Sequence, residues 1–236
     1  EQNYYEIFAE PSLQHLCGTD NLGRDVFSRL LYGGRVSLTI GIISVGIGLL
    51  CGGLIGALAG YYGGKLDNTL MRFIDILMAI PSVILAISIC AALGPGLVNT
   101  MIAVGVASIP NYARILRSSI LSIKQQEYVE AARAIGASNT RIISKHIVPN
   151  SLSGLIVQAS MGVGRAIISA ASMSFIGLGI APPNPEWGAM LSAGRTYFRD
   201  YPHMVLFPGI AIFLAVLSMN LIGDGLRDAL DPRLKR

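Results

Sequence analysis

Few residues of this 236-residue chain are of types that could do chemistry, and those few are scattered. The three histidines, His15, His146 and His203, lie far apart, and the three cysteines, Cys17, Cys51 and Cys90, show no CxxC or Cys/His spacing. That pattern argues against a zinc or thiol site and gives no disulfide framework. Cys51 and Cys90 fall inside apolar runs and read as small core residues. There is no HExxH, no GxSxG and no paired carboxylate in an apolar run. Gly63-Gly64-Lys65 comes nearest to a phosphate loop, but a Walker A sequence needs Gly at 59 and Ser or Thr at 66. Ala59 and Leu66 stand there instead. The chain is therefore expected to be no enzyme and to hold no ATP or metal, and the two glycines to make a tight turn. One charge stands apart: Arg165 sits in the middle of an otherwise apolar run with no local partner.

The elements that position these residues follow from composition. The chain is 52% hydrophobic and 14% charged, against about 25% charged in an ordinary soluble domain, and its mean hydropathy is +0.57. Lipid is the solvent for most of it. A bilayer core of about 30 Å needs roughly 20 apolar residues as helix. Five runs qualify: Val36–Gly60, Leu70–Leu93 with Pro81 inside, Leu97–Ala113 with Pro110, Leu152–Ile176 around Arg165, and Val205–Ile222. The expected fold is an all-helical polytopic membrane protein. A net charge of +4 could suggest nucleic acid, but the basic residues are not pooled in one aromatic-flanked patch, and no nucleic-acid partner is expected.

Lys and Arg counts orient the spans. One side receives Lys65, Arg72, Arg114, Arg117, Lys124, Arg133, Arg141, Lys145, Arg227, Arg233, Lys235 and Arg236; the other receives Arg24, Arg29, Arg35, Arg195 and Arg199. The C-terminus and the 114–150 loop are thus expected in the cytoplasm and the segment before Arg35 outside. This calls for an earlier span before Glu1. Residues 1–35 read as an external segment, with Leu22, Val26 and Leu30 on one face of an interfacial helix and Asp25 and Arg29 spaced to pair. Residues 36–236 read as the membrane domain.

Further pairings are expected from spacing. Arg72 and Asp75 suit an i, i+3 ion pair, and Asp224, Arg227, Asp228 and Asp231 form a similar ladder. A charge at the depth of Arg165 faces a protein interior or a wet cavity, which makes it a candidate for a translocation path or a subunit interface. Ser44, Gly48, Gly52, Gly56 and Gly60 recur every four residues, a small-residue face that reads as a helix-packing seam rather than a pore lining.

The segment Glu127–Pro149 carries the strongest signal. Tyr128, Ala132 and Ile135 keep helical spacing, with Glu127, Glu130 and Arg133 on other faces. Gly136 suits a helix C-terminus, Ser138 or Asn139 can cap the next helix, and Ile142, Ile143 and Ile147 give that helix an apolar side. Pro149 is expected to close it. Ala131, Ala132, Ala134 and Gly136 are small enough for a partner groove to approach closely; an amphipathic loop lying on the membrane is the alternative.

Glu130-Ala131-Ala132, then three residues, Gly136, and a terminal Val148-Pro149 resemble the EAA signature of ABC importer permeases. The usual Ile-x-Leu-Pro reads His146-Ile-Val-Pro149 here, a variant of the peptide/nickel branch. Gly18–Arg29 with Gly33–Leu38, Ser174–Gly179 with Pro185–Gly188, and Gly223–Pro232 also resemble that branch, so the likeness covers nearly the whole chain. It implies the "C" permease of a dipeptide, oligopeptide or nickel importer, with a MetI-like fold and six spans, one of them before residue 1. By the same resemblance Glu127, Tyr128, Glu130, Ala131, Ala132, Arg133, Gly136 and Ala137 belong to a coupling helix that docks on an ATPase. Implied partners are a second homologous permease in a heterodimer, one or two cytoplasmic ATPase subunits holding ATP and magnesium, and an extracytoplasmic substrate-binding protein. The implied location is a bacterial or archaeal inner membrane. Asn184–Tyr201, with the sole tryptophan Trp187, is a candidate contact for the binding protein, though Trp187 also suits an interfacial anchor. Short peptides are the expected cargo because the spans hold little fixed charge. Nickel chelates are the alternative, and an ion-coupled secondary carrier, which could exploit only Arg165, is the rival of another class.

Overall fold

Asp25 starts the first helix: its carboxylate accepts the Ser28 N–H at 2.7 Å, an N-cap that satisfies a free amide. In this computed structural model, which describes residues 2–181 and 183–230, helix α1 then runs unbroken over Val26–Tyr62. Its 37 residues span about 55 Å at 1.5 Å per residue, well beyond a bilayer core of about 30 Å. The interfacial helix expected around Leu22–Leu30 is therefore not a separate element. Leu22 lies in a turn whose amide, with that of Arg24, is held by Asp20, and the rest is the N-terminal end of α1. Asp25 and Arg29 do not pair; Arg29 leans on Asp20 at 3.7 Å and Asp25 bonds His15.

Gly63 and Gly64, at φ +66° and +58°, turn the chain into α2 (Gly64–Met78), the tight turn their positions suggested. The run read as one span, Leu70–Leu93, is two helices, α2 and α3 (Ser82–Leu93), bent by 85°. Pro81 is the cause: it cannot donate to a helix, and it drives the residue before it out of the helical region. Then follow α4 (Leu97–Lys124), α5 (Glu127–Ala134), α6 (Asn139–Ile142), a π-helical turn at Ile143–Ile147, α7 (Val148–Phe175), α8 (Trp187–Gly194) and α9 (His203–Leu230). Among the described residues three stretches are long and apolar enough to cross a membrane: Val26–Tyr62, Asn139–Phe175 and His203–Leu230. The bent pair adds a fourth if counted as one span. Helix α4 is not among them, because Asn99, Thr100, Asn111, Tyr112 and Arg114 dilute its apolar run.

The core is the α1–α4 pair, flanked by α7 and then α9. The four-residue stripe of α1 is the seam. Ser44 donates to the Met101 carbonyl at 3.1 Å. A Cβ on Gly48, Gly52 or Gly56 would run into Ser108, the Ile109 carbonyl or the Ala113 carbonyl, and one on Gly60 would sit 3.0 Å from the Arg117 carbonyl. Glycine is there because backbone approaches backbone, which is how helices associate in lipid. Arg117 clamps α2 to α4 by donating from Nε and a terminal nitrogen to the Asp67 carboxylate at 2.6 and 2.7 Å. Asp75 pairs with Arg114 at 2.5 Å and not with Arg72, because α2 turns that carboxylate toward α4. Among the described residues Asp224, Arg227 and Asp228 form no ion pair; Asp231, Pro232, Arg233, Lys235 and Arg236 lie outside them.

The N-terminal segment folds over the same end of the bundle as α8. Phe8 stacks on Tyr201 with ring centroids 4.2 Å apart, and His203 donates to the Thr19 carbonyl at 3.0 Å. Trp187 is 7% exposed and donates its indole N–H to the Leu30 carbonyl at 3.0 Å, its ring lying over Gly33 and Gly34. It fastens α8 to α1 and is not an exposed interfacial anchor. Buried Glu186 caps α8 by accepting from Gly188 and Ala189 and takes a hydrogen bond from Ser37.

His15 makes this end pH-sensitive. Its Nδ1 is 2.9 Å from Asp25 and its Nε2 3.3 Å from Glu6, and only the doubly protonated ring can donate both bonds. The bond to Asp25 chiefly raises its pKa above the ordinary value, burial opposing and Glu6 assisting. A raised folded value means that the contribution is full below about pH 6.5 and is lost as pH rises through the folded value. Hydrogen exchange of residues 6–25, corrected for intrinsic rates, should therefore speed up as pH rises above about 6.5, and His15→Gln should abolish that dependence.

Candidate functional site

Two places combine exposure with specific geometry: the hairpin after α4 and a cavity at the α2/α3 elbow. In the hairpin, α5 buries Val129 (0% exposed) and Ala132 against the main core that also holds Ile142 and Ile147. Its end is a Schellman closure: Gly136, at φ +80°, donates to the Arg133 carbonyl at 2.9 Å, and Ala137 donates to that of Ala132 at 3.1 Å. Ser138 caps α6 by accepting the Arg141 N–H. Both caps suggested by the sequence thus form.

The second helix does not end at Pro149. Instead α6 runs through the π-turn, where Val148 N–H donates five residues back to Ile143, directly into α7. Pro149 follows directly on the π-turn, whose wider spacing makes room for its ring in a helix that continues past it. The hairpin is thereby continuous with a membrane helix. It is also tied to the bundle: Tyr61 donates to Asn139 Oδ1 at 2.7 Å, and Lys124 to the Tyr61 carbonyl at 2.6 Å.

Among the sequence-predicted residues, Glu127, Tyr128, Glu130, Ala131, Arg133 and Gly136 are exposed, Ala137 is half-buried, and Ala132 turns inward. Tyr128 is 43% exposed and leans on the His146 ring. Ile135 does not share the inward face of Ala132: it is 86% exposed and points away from the bundle. Spacing hid this because the Schellman turn redirects the chain after Ala134. An exposed apolar residue at a helix end was the signal available.

The cavity has a volume of about 360 Å³ and is walled by α4, α7 and the α2/α3 elbow at Leu77–Ser82, with Val45 of α1 also in the lining. Arg165 lines it, together with Ser82, Ser108, Asn111, Tyr112 and Ser169. The Arg165 side chain is exposed in this chain and is not enclosed in its interior. Sequence spacing linked neither the elbow nor Asn111 and Tyr112 to Arg165, since only the Pro81 bend brings them together.

Residues 52–236 match the family described as binding-protein-dependent transport system inner membrane component. The chain is 49% identical over 237 residues to the glutathione transport system permease protein GsiD of Pectobacterium atrosepticum, covering 99% of this chain and 79% of that protein. To the dipeptide transport system permease protein DppC of Alkalihalophilus pseudofirmus it is 49% identical, over 95% of this chain and 74% of the relative. Among solved structures, an inward-facing conformation of the MetNI methionine ABC transporter superposes with a TM-score of 0.73 at 22% identity, over 87% of this chain and 97% of that one. An amino acid ABC transporter superposes at 0.69 and 16% identity, over 86% and 95%.

Proposed function

Because the chain belongs to the family of binding-protein-dependent transport system inner membrane components, a transport subunit with a MetI-like fold, we propose that it forms half of the pore of an importer for short peptides. Its other half is a second homologous permease. One or two cytoplasmic ATPase subunits hold ATP and magnesium and dock on α5, and a substrate-binding protein delivers cargo at the opposite side. The C-terminus lies with the ATPases in the cytoplasm.

The observation that carries this reading is the construction of the hairpin. Helix α5 is anchored by Val129 and Ala132, closed sharply at Gly136, and presents Glu127, Glu130, Ala131, Arg133 and Ile135 outward. A short helix held rigidly by one face and bare on the other suits a partner groove. Through α6 and the π-turn, any displacement of the hairpin is passed to α7, which carries Arg165. The names of the two relatives, for glutathione and for dipeptides, support peptides over nickel chelates as cargo.

The test is uptake into proteoliposomes holding both permeases and the ATPases, with loaded binding protein outside and ATP inside. Dipeptide is expected to accumulate only with ATP. Accumulation without the ATPases would leave a secondary carrier, and uptake of nickel chelates alone would replace the cargo.

A further inference from the structure

We infer that the Arg165 cavity is a carboxylate subsite, which takes the terminal carboxylate of a peptide in transit. The inference rests on the importer reading above and names the part of the substrate that the permease itself recognises.

Arg165 is the only charged residue in the lining, and no Asp or Glu stands among the lining residues. Among the described residues it makes no ion pair, whereas Arg24, Arg29, Arg114 and Arg117 each have a carboxylate. An arginine within an apolar helix is costly, and Arg165, exposed in this chain and held by no carboxylate, points to an anionic partner from outside. Arginine is also the side chain whose planar fork matches a carboxylate with two parallel hydrogen bonds.

The surrounding groups complete such a site. Ser82, Asn111 and Ser169 line the cavity beside Arg165, and the buried Tyr112 hydroxyl lies against the guanidinium. Ser82 also opens α3, whose first turn has no side-chain cap. A broken helix presenting its amino end to a cavity adds positive potential to that of the guanidinium. The volume of about 360 Å³ falls within the roughly 300–1,000 Å³ of small-molecule sites. Apolar Val45, Met78, Ala86 and Val104 would meet side chains of varied type without selecting among them.

The experiment uses the full permease–ATPase complex in nanodiscs, without the binding protein, and measures binding of radiolabelled alanyl-alanine and of its C-terminal amide. The free acid is expected to bind the wild-type complex about tenfold or more tightly than the amide, as for a hydrogen-bonded charge pair. Arg165→Gln should lose that preference while still co-purifying with its partners. Equal binding of acid and amide by the wild-type complex overturns the subsite, and that comparison needs no variant to fold. If Arg165→Gln instead dissociates the two permeases, the arginine pairs across the subunit interface and the subsite is likewise overturned. The importer reading is tested separately by ATP-driven uptake in the wild-type proteoliposomes, which can succeed whether or not acid and amide differ.

Discussion

Gly52→Leu is expected to prevent α1 from seating on α4 and to leave little folded protein in the membrane. A Cβ at residue 52 would already collide with the Ile109 carbonyl and come within 3.1 Å of the Ala113 amide and of Tyr112 Cβ. Two of these three atoms are backbone of a continuous helix, so no rotamer change relieves the clash. The helices must separate, and separation also opens the close approaches at Gly48, Gly56 and Gly60 along the same seam. Overpacking a tight core costs about 1–3 kcal/mol and more where nothing can yield; a loss of about 3 kcal/mol lowers the folded-to-unfolded ratio over a hundredfold. Gly46→Leu is the control, because nothing lies within 4 Å of a Cβ there. Thermal unfolding of the purified variants in detergent should show Gly46→Leu near wild type and Gly52→Leu collapsed. Equal stability of the two would mean that the seam does not hold the fold.

The seam was legible in the sequence because a four-residue repeat of small residues in an apolar run has few structural meanings. The hairpin caps were legible for the same reason: Gly136 and Ser138 each do one local thing. What spacing could not give was anything set by the relative placement of helices. Asp75 has Arg72 three residues away, yet finds Arg114, thirty-nine positions along the chain, because α2 lies on α4. Trp187 looked like an anchor by residue type and is a fastener because Gly33 and Gly34 make room for its ring. Pro81 was visible inside a predicted span, but hydropathy averages over a bend, so the run Leu70–Leu93 passed as one helix where the chain turns by 85°. That turn makes the Arg165 cavity, whose wall therefore had no sequence signature. Pro149 erred in the other direction: it reads as a stop, and the π-turn beside it lets the helix go on.

The structure also shifts where the proposed coupling contact should be probed. At Gly136 a side chain would meet nothing within 4 Å, so substitution there costs only the left-handed backbone strain, about 1–2 kcal/mol. That loosens the helix end without blocking a partner. Ile135 is the sharper probe. At 86% exposed it contributes almost nothing to the fold, and a large aliphatic side chain is worth about 1.5–3 kcal/mol when a partner buries it. Ile135→Asp removes that gain and brings an unpaired carboxylate into the groove. Association with the ATPase should weaken at least about tenfold, while the unfolding temperature of the isolated permease stays within about 0.5 kcal/mol equivalent of wild type, as for surface changes generally. Val129→Asp is the contrast: Val129 is fully buried under α5, so that change should unfold the hairpin and lower stability as well as docking. Titrating the ATPase onto immobilised permease distinguishes the two. If Ile135→Asp binds the ATPase as tightly as wild type, the exposed end of α5 is not the docking face, and the power stroke must enter the bundle elsewhere.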